Sequence, residues 1–245
     1  MIDVGRFFSR SGLWTLSSLL DFSTLSKAQK DHLAKVYGTL AGCTLVTLLG
    51  TLVPLRYFNW NPLLVLLGCT AALLYVTFTA PAPGSRDEGF AVKRVLAMGV
   101  SAFAEGLLLR QLLHVMFTIN PEIVTTALFG TIAIFACFSL GSLLMASRTA
   151  LYLGSLAFSL TSYVALVRLT NIFVKSRLAD DLSDIVMLVA FCGFVIFDTQ
   201  ITLTDFDRGS RDVLAHALML YCDVMNIFVK LIRILYEKEK KKEKE

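Results

Sequence analysis

The sequence is poor in charged residues. Only 17% of its 245 residues are Asp, Glu, Lys or Arg, against about 25% in an ordinary soluble domain, while 56% are hydrophobic. The apolar residues lie in blocks of about 20, each long enough as a helix to cross a ~30 Å hydrocarbon layer. The blocks are continuous rather than alternating, which argues against a membrane barrel. We therefore predict an all-α, polytopic membrane helix bundle.

Motifs of the common enzyme classes are also missing. There is no zincin His-Glu-x-x-His, no catalytic serine motif and no Gly-x-Gly-Asp of the aspartyl intramembrane proteases. The five cysteines are odd in number, unpatterned and placed in apolar segments, which predicts core residues rather than disulfides or metal ligands. We expect no enzyme, no cofactor and no nucleic-acid partner; the predicted environment is the lipid bilayer.

Seven apolar segments are separated by chain-breaking residues. The first 32 residues have no continuous apolar core ahead of a small-residue cleavage site, so we expect an interfacial lead-in rather than a cleaved signal. Ser26-Lys-Ala-Gln29 predicts a capping box at the first helix. The predicted spans are 34–53, 62–80, 91–117, 123–146, 150–169, 184–204 and 212–236. They form one bundle, 33–236, between the lead-in (1–32) and a charged, solvated tail (237–245).

The last segment is unlike the others because it carries His216, Asp223, Lys230 and Arg233. Such a helix must be central and shielded by protein, or re-entrant. With seven full spans, 10 Lys and Arg residues lie on the N-terminal side of the membrane and 8 on the opposite side. With six spans and a re-entrant last segment, the numbers are 15 and 3. Both versions place the N-terminus in the cytosol, and the count favours a cytosolic tail. The count does not decide between six and seven spans.

Two aspartates, Asp198 and Asp223, fall inside the last two segments, one on each arm of a predicted hairpin. A carboxylate in hydrocarbon costs at least ~2.5 kcal/mol, so each is a functional candidate. Asp198 lies about six residues from the hairpin loop along its helix, and Asp223 about a dozen. The two reach the same depth in the membrane only if the last helix begins outside the membrane.

At these two segments the sequence resembles a known family. The motifs are Phe194-Val-Ile-Phe-Asp198-Thr199-Gln200 and His216-Ala-Leu-Met-Leu-Tyr221-Cys-Asp223-Val-Met-Asn226-Ile-Phe228. Upstream matches are His32-Leu-Ala-Lys-Val-Tyr37, Asn120-Pro-Glu-Ile-Val-Thr-Thr-Ala-Leu-Phe-Gly130-Thr131 and Leu151-Tyr-Leu-Gly154. Together, in this order, they resemble the Bax inhibitor-1 family of transmembrane Bax-inhibitor-motif proteins, over essentially the whole chain from about residue 25.

The resemblance implies a bundle with a central last helix in the endoplasmic reticulum membrane. It implies a pH-sensitive calcium leak and suppression of stress-induced cell death, with Bcl-2-family or other reticulum membrane proteins as candidate partners, and maps the family's paired aspartates onto Asp198 and Asp223. The chain departs from the family at Leu109-Arg110-Gln111, where a Gly-Pro pair is common, and at Ser155 in place of a glycine. It has no Arg in residues 62–80 to act as the latch of bacterial relatives.

Two adjacent carboxyl groups cannot both ionise cheaply, so the pair should hold one proton that clamps the two helices together. Its oxygens suit Ca²⁺, but a bare ion needs six to eight of them, which favours a relay or gate with transient Ca²⁺ contact over a storage site. The alternative is that each aspartate is helix glue, hydrogen-bonded to Thr199, Asn226 or backbone.

The third span holds Glu105, Arg110 and His114. Glu105 and Arg110 are ~140° apart around the helix and should not pair. Snorkelling explains Arg110 and His114; the other hypothesis is that Arg110 replaces the missing second-span arginine and neutralises the aspartate pair. For the whole protein two functions stay open. One is a pH-sensitive calcium leak or exchanger-like pathway, and the other a non-conducting regulator of apoptosis that binds other membrane proteins.

Overall fold

The computed structural model describes residues 25–54, 61–79, 88–145 and 147–242. These residues form seven helices and no strand: α1 Lys27–Thr51, α2 Pro62–Phe78, α3 Glu88–Ile119, α4 Pro121–Leu143, α5 Ser147–Val174, α6 Arg177–Asp207 and α7 Val213–Lys242. All seven predicted segments and the all-α class are confirmed. Most of the predicted lead-in, the loop around residues 81–87 and the last three residues of the tail lie outside the described residues.

Local sequence signals set several helix starts. At α1 the backbone N–H of Gln29 donates to Oγ of Ser26 (3.2 Å), and the N–H of Ser26 donates to Oε1 of Gln29 (2.8 Å), which is the predicted capping box. At α4, Oδ1 of Asn120 accepts from the N–H of Glu122 (2.9 Å), and Pro121 occupies the first helical position. The tight turn predicted between the third and fourth spans is therefore a capped helix start.

The apolar surface of the bundle belongs to its outer helices. Helices α1, α4, α6 and residues 148–174 of α5 are long and apolar enough to cross a membrane, and α2 is a shorter apolar helix. Phe158 and Phe173 of α5 leave 69% and 84% of their surface exposed. Among the described residues, α7 contributes none of the exposed large apolar side chains, and its Leu220, Ile227 and Ile232 are fully buried. Helix α7 is therefore central, wrapped by helices whose outer faces suit lipid.

The two ends of the bundle can be distinguished by their contacts. At the hairpin end, where residues 208–212 join α6 to α7, Nε2 of Gln29 donates to Oδ1 of Asp207 (2.8 Å). At the tail end, where α7 finishes, Nζ of Lys241 lies 2.7 Å from Oδ2 of Asp181, near the start of α6. The start and the finish of α7 thus lie at opposite ends of the bundle.

The last segment is a continuous helix and not a re-entrant loop. Helix α7 has 30 residues, a length of ~45 Å, and its far end also meets α4 through Nδ2 of Asn120 and Oε1 of Glu239 (3.2 Å). The charged residues 237–242, predicted as part of a solvated tail, continue this helix. Of the two predicted alternatives, the structure has the central seventh helix. Protein contacts, rather than lipid, accommodate its buried polar residues His216, Asp223 and Lys230.

Candidate functional site

The two predicted aspartates meet inside the bundle. The carboxyl group of Asp198 on α6 lies beside that of Asp223 on α7, and the two interact electrostatically. Asp198 lies nine residues before Asp207, the last residue of α6, and Asp223 ten residues after Val213, the first of α7. Both are therefore ~14–15 Å from the hairpin end. The mismatch in depth expected from sequence disappears because α6 runs three residues beyond its predicted end.

The close approach of these two carboxyl groups favours a shared proton. Asp223 is buried, with 5% of its surface exposed, and no donor among the described residues reaches its Oδ2. Two ionised carboxylates are both acceptors only, so a hydrogen bond between them forms only when one of the two is protonated. A lone charge with no donor here would be costly. One proton shared by the pair would remove this cost, as expected from the sequence.

The supporting residues predicted from sequence do not hold the aspartates. Oγ1 of the buried Thr199 donates to the carbonyl oxygen of Val195 (2.7 Å) and lies 3.4 Å from Oγ of Ser139 on α4. Asn226 is exposed and donates to the carbonyl oxygen of Cys222 (2.8 Å). Neither side chain bonds to the carboxyl group of Asp198, so the contact that defines the site is that between the two acids.

A layer of hydroxyl and amide groups joins α6 to its neighbours beside Asp198. Oγ of Ser142 on α4 donates to the carbonyl oxygen of Ile196 (2.7 Å). Nε2 of Gln200 donates back to the carbonyl oxygens of Ser142 and Met145, the latter at 3.1 Å. These bonds satisfy buried polar groups within the bundle and hold α6 at a fixed register against α4. Asp198 is thus presented to α7 from a firmly anchored helix.

His216 belongs to a second polar cluster, at the hairpin end. Its Nδ1 lies 3.1 Å from Nε2 of His32 on α1, and its Nε2 lies 3.7 Å from Oδ2 of Asp205. Both histidines are buried. Nearby, Nη1 and Nη2 of Arg94 donate to the two carboxylate oxygens of Asp212 at 3.0 and 2.6 Å. Sequence analysis singled out His216 in the last segment but did not predict its contacts with His32 and Asp205.

A third polar cluster lies towards the tail end. Oδ1 of Asp184 on α6 is 2.7 Å from Nζ of Lys230 on α7 and 2.5 Å from Nη2 of Arg168 on α5. The cluster borders a cavity of about 400 Å³ that is also lined by Asp180, Asp181, Arg233 and Glu237. Sequence analysis missed this cluster, although charged residues inside or beside predicted spans were the signal that could have found it.

The remaining predicted residues are on α3. Nη1 of Arg110 donates to the carbonyl oxygen of Val53 after the end of α1 (2.8 Å). Charge compensation of the aspartate pair by Arg110 stays a prediction. Glu105, also on α3, interacts electrostatically with Tyr221 on α7. Within the described ranges, no group of three or more His, Cys, Asp or Glu side chains is arranged to hold a metal ion.

Comparison with known proteins agrees with this arrangement. The family described as "Inhibitor of apoptosis-promoting Bax1" matches residues 29–240. Bax inhibitor 1 of Homo sapiens is 35% identical over 230 residues, covering 93% of this chain and 95% of its own length. Bax inhibitor 1 of Drosophila melanogaster is 32% identical, covering 88% of this chain and 86% of the relative. The Bax inhibitor 1 homolog of Dictyostelium discoideum is 33% identical, covering 91% of this chain and 87% of the relative. The chain belongs to the Bax inhibitor-1 family.

Proposed function

We propose that this protein is a membrane regulator of cell death that provides a pH-sensitive leak pathway for Ca²⁺, with Asp198 and Asp223 as its gate. The observation that carries the proposal is the direct contact of these two acids across the central hairpin, with one oxygen of Asp223 lacking a donor. The names of the relatives support the role in cell death. Following the family resemblance, we place the protein in the endoplasmic reticulum membrane, with Bcl-2-family proteins as candidate partners.

The electrostatics of the pair support a gate. With a shared proton, the contact ties α6 to α7 by a hydrogen bond, worth about 0.6–2 kcal/mol between membrane helices. Without the proton, two charges ~4 Å apart repel by ~4 kcal/mol at an effective dielectric constant of ~20. The lost hydrogen bond and the new repulsion act in the same direction, so deprotonation drives the two helices apart at this level. Protonation therefore selects between two packings of the central hairpin.

The pair also suits the proposed cargo. Carboxylate oxygens are good ligands for Ca²⁺, but two aspartates supply too few of the six to eight oxygens that a bare ion needs. A passing ion would keep part of its water shell and bind weakly, as transport requires. Calcium is thus the transported species in this proposal and not a resident cofactor.

The test is Ca²⁺ flux into liposomes that contain only the purified protein, scanned over about pH 5.5 to 8. Asp198→Asn and Asp223→Asn keep the side-chain shape and remove the titrating group. Asp181→Asn is the matched control, because it removes a carboxylate from the same helix at its partly exposed pair with Lys241. We expect flux in the native protein, the same pH dependence in the control, and a flattened pH dependence in both test variants.

The outcomes separate the two functions. If folded native protein gives no flux above protein-free liposomes at any pH, the leak is refuted. The non-conducting regulator that acts through other membrane proteins then takes its place. If flux occurs but both Asn variants keep the native pH dependence, the pair is helix glue and the gate lies elsewhere.

A further inference from the structure

Two adjoining spaces open at the tail end of the bundle. One, of about 400 Å³, lies between α3, α5, α6 and α7, with Leu112 and Ile232 among its apolar lining residues. The other, of about 340 Å³, lies between α6 and α7 and shares Asp184 and Arg233 with the first. Together they are named the tail-end cavity. Because Asp184 is the first residue of the predicted span 184–204, the tail-end cavity lies at the membrane surface.

The inner end of the tail-end cavity has more basic than acidic groups. There, the single carboxylate of Asp184 faces two basic side chains, with Nζ of Lys230 at 2.7 Å and Nη2 of Arg168 at 2.5 Å. Nε of Arg168 is buried, and no acceptor among the described residues reaches it. A buried donor without an acceptor is costly, and phosphate is an anion that a guanidinium binds through two parallel hydrogen bonds. The inner end therefore suits a phosphate group.

The outer end of the tail-end cavity has acids that are not used by the protein. Asp180 and Glu237 line it, and neither takes part in an ion pair within the described part of the chain. Asp180 lies one helical turn nearer to the tail end than Asp184, and Glu237 two turns beyond Lys230, which are distances of ~6 and ~10 Å along the helices. The outer end therefore suits a cationic group that lies farther towards the water than the phosphate.

The order of these charges matches a phospholipid whose headgroup ends in an amine. In such a lipid the phosphate follows the acyl chains, and the ammonium lies beyond it, towards the water. The phosphate would meet Arg168 and the exposed Arg233, which also lines the cavity, and the ammonium would meet Asp180 and Glu237. A headgroup with negative charge alone would bring no cation to these two acids and would be repelled by them.

The outer face of α6 continues the cavity as an apolar surface. Leu182, Ile185 and Val189 are exposed, and their spacing of three and four residues places them on one face of the helix. Ile185 also lines the smaller of the two spaces. An acyl chain attached to a headgroup in the cavity can lie along this face towards the middle of the membrane. A lipid thus gains an apolar contact that a soluble molecule with the same headgroup lacks.

The lining favours a primary ammonium over a quaternary one. A primary ammonium donates three hydrogen bonds, as that of lysine does, and the carboxylates of Asp180 and Glu237 can accept them. A quaternary ammonium donates none and is bound by aromatic faces. Among the described lining residues, the aromatic one is Tyr236, and Nζ of Lys240 already lies 5.6 Å from the centre of its ring. These groups fit ethanolamine better than choline.

We propose that the tail-end cavity is a binding site for phosphatidylethanolamine, with the phosphate held by Arg168 and Arg233 and the ammonium by Asp180 and Glu237. The phosphate supplies the acceptor that Nε of Arg168 lacks among the described residues. The bound lipid joins α5, α6 and α7 at the membrane surface. The site involves neither aspartate of the proposed gate, so it stands or falls independently of the Ca²⁺ leak.

The test is native mass spectrometry of the purified protein in detergent, after incubation with phosphatidylethanolamine or phosphatidylglycerol that carry identical acyl chains. We expect the native protein to retain phosphatidylethanolamine about fivefold more strongly, the effect of one exposed ion pair. Asp180→Asn combined with Glu237→Gln should bring this ratio to about one, because the ammonium loses its charged acceptors. Arg233→Gln should weaken the retention of both lipids, because both carry the phosphate.

The matched control is the pair of substitutions Asp207→Asn and Arg208→Gln at the hairpin end. They remove an acid and an arginine at the opposite end of the bundle, and should leave the retention of both lipids and their ratio at the native values. Asp180, Arg233 and Glu237 form no ion pair within the described residues, so the test variants should also keep the native thermal stability in detergent without added lipid.

The proposal is overturned if the native protein retains phosphatidylglycerol as strongly as phosphatidylethanolamine, or if the variant that lacks both acids keeps the native ratio. Phosphatidylcholine with the same chains should be retained less than phosphatidylethanolamine, and equal retention would refute a site for a primary ammonium. Glycerophosphoethanolamine carries the same headgroup without acyl chains and should not displace the lipid at equal concentration. Displacement would show that the cavity binds a soluble molecule and would refute the lipid site.

Discussion

Gly106→Ala tests the close crossing of α1 and α3, where the backbones of Gly106 and Gly50 lie in contact. The added methyl group would lie 2.9 Å from Cα of Gly50 and would collide with the carbonyl of Thr47. Both obstacles are backbone, so no rotamer change relieves the overlap, and overpacking of this kind costs ~1–3 kcal/mol. Alanine in place of glycine returns ~1 kcal/mol of helix propensity. We expect a net loss of up to ~2 kcal/mol, or a fall in Tm of up to ~8 °C.

The matched control is Gly99→Ala on the same helix, where nothing lies within 4 Å of the added atom. It should raise Tm by up to ~4 °C through helix propensity alone. Thermal unfolding in detergent can be followed with a dye that fluoresces on reaction with thiols, since Cys43, Cys69 and Cys192 are free and buried. If Gly106→Ala is as stable as Gly99→Ala, the backbones do not touch at this crossing and the reasoning is wrong.

Two further predictions use the same thermal assay. Lys230→Met leaves Asp184 with Arg168 as its remaining partner at 2.5 Å, so we expect a loss of about 2–3 kcal/mol, near the lower end for a broken buried ion pair. Adding Asp184→Leu to Lys230→Met should recover most of the lost stability. A double variant less stable than Lys230→Met would contradict this account. Ser26→Ala removes the cap of α1 and should cost ~1 kcal/mol; a native Tm would show that the capping box does not stabilise the bundle.

The fold was predictable because its signals lie along the chain. Blocks of apolar residues gave the number of helices, and local motifs such as Ser26 with Gln29 gave helix starts. The end of α6 was misjudged because Asp205 and Asp207 were assigned to the loop, whereas they extend the helix by the three residues that bring Asp198 level with Asp223. Polar residues at a membrane surface continue a helix as readily as they end it.

The aspartate pair was predictable because its members lie on consecutive helices joined by a short loop. The other contacts join residues far apart in the chain. His32 and His216 are 184 positions apart, and Thr47 and Tyr221 are 174 apart. A sequence indicates how deep a residue lies along its helix, but not which neighbouring helix its side chain faces. That choice depends on packing contacts such as the Gly50–Gly106 crossing, which no pattern within a single helix reports.

The central claim is that one titrating pair gates a leak. Its most direct test compares Ca²⁺ flux at about pH 6 with that at about pH 8, in liposomes containing native protein, Asp223→Asn or the control Asp181→Asn. The account predicts that the ratio of the two fluxes departs from one in the native protein and the control, and approaches one in Asp223→Asn. A folded Asp223→Asn variant that keeps the native ratio would contradict it.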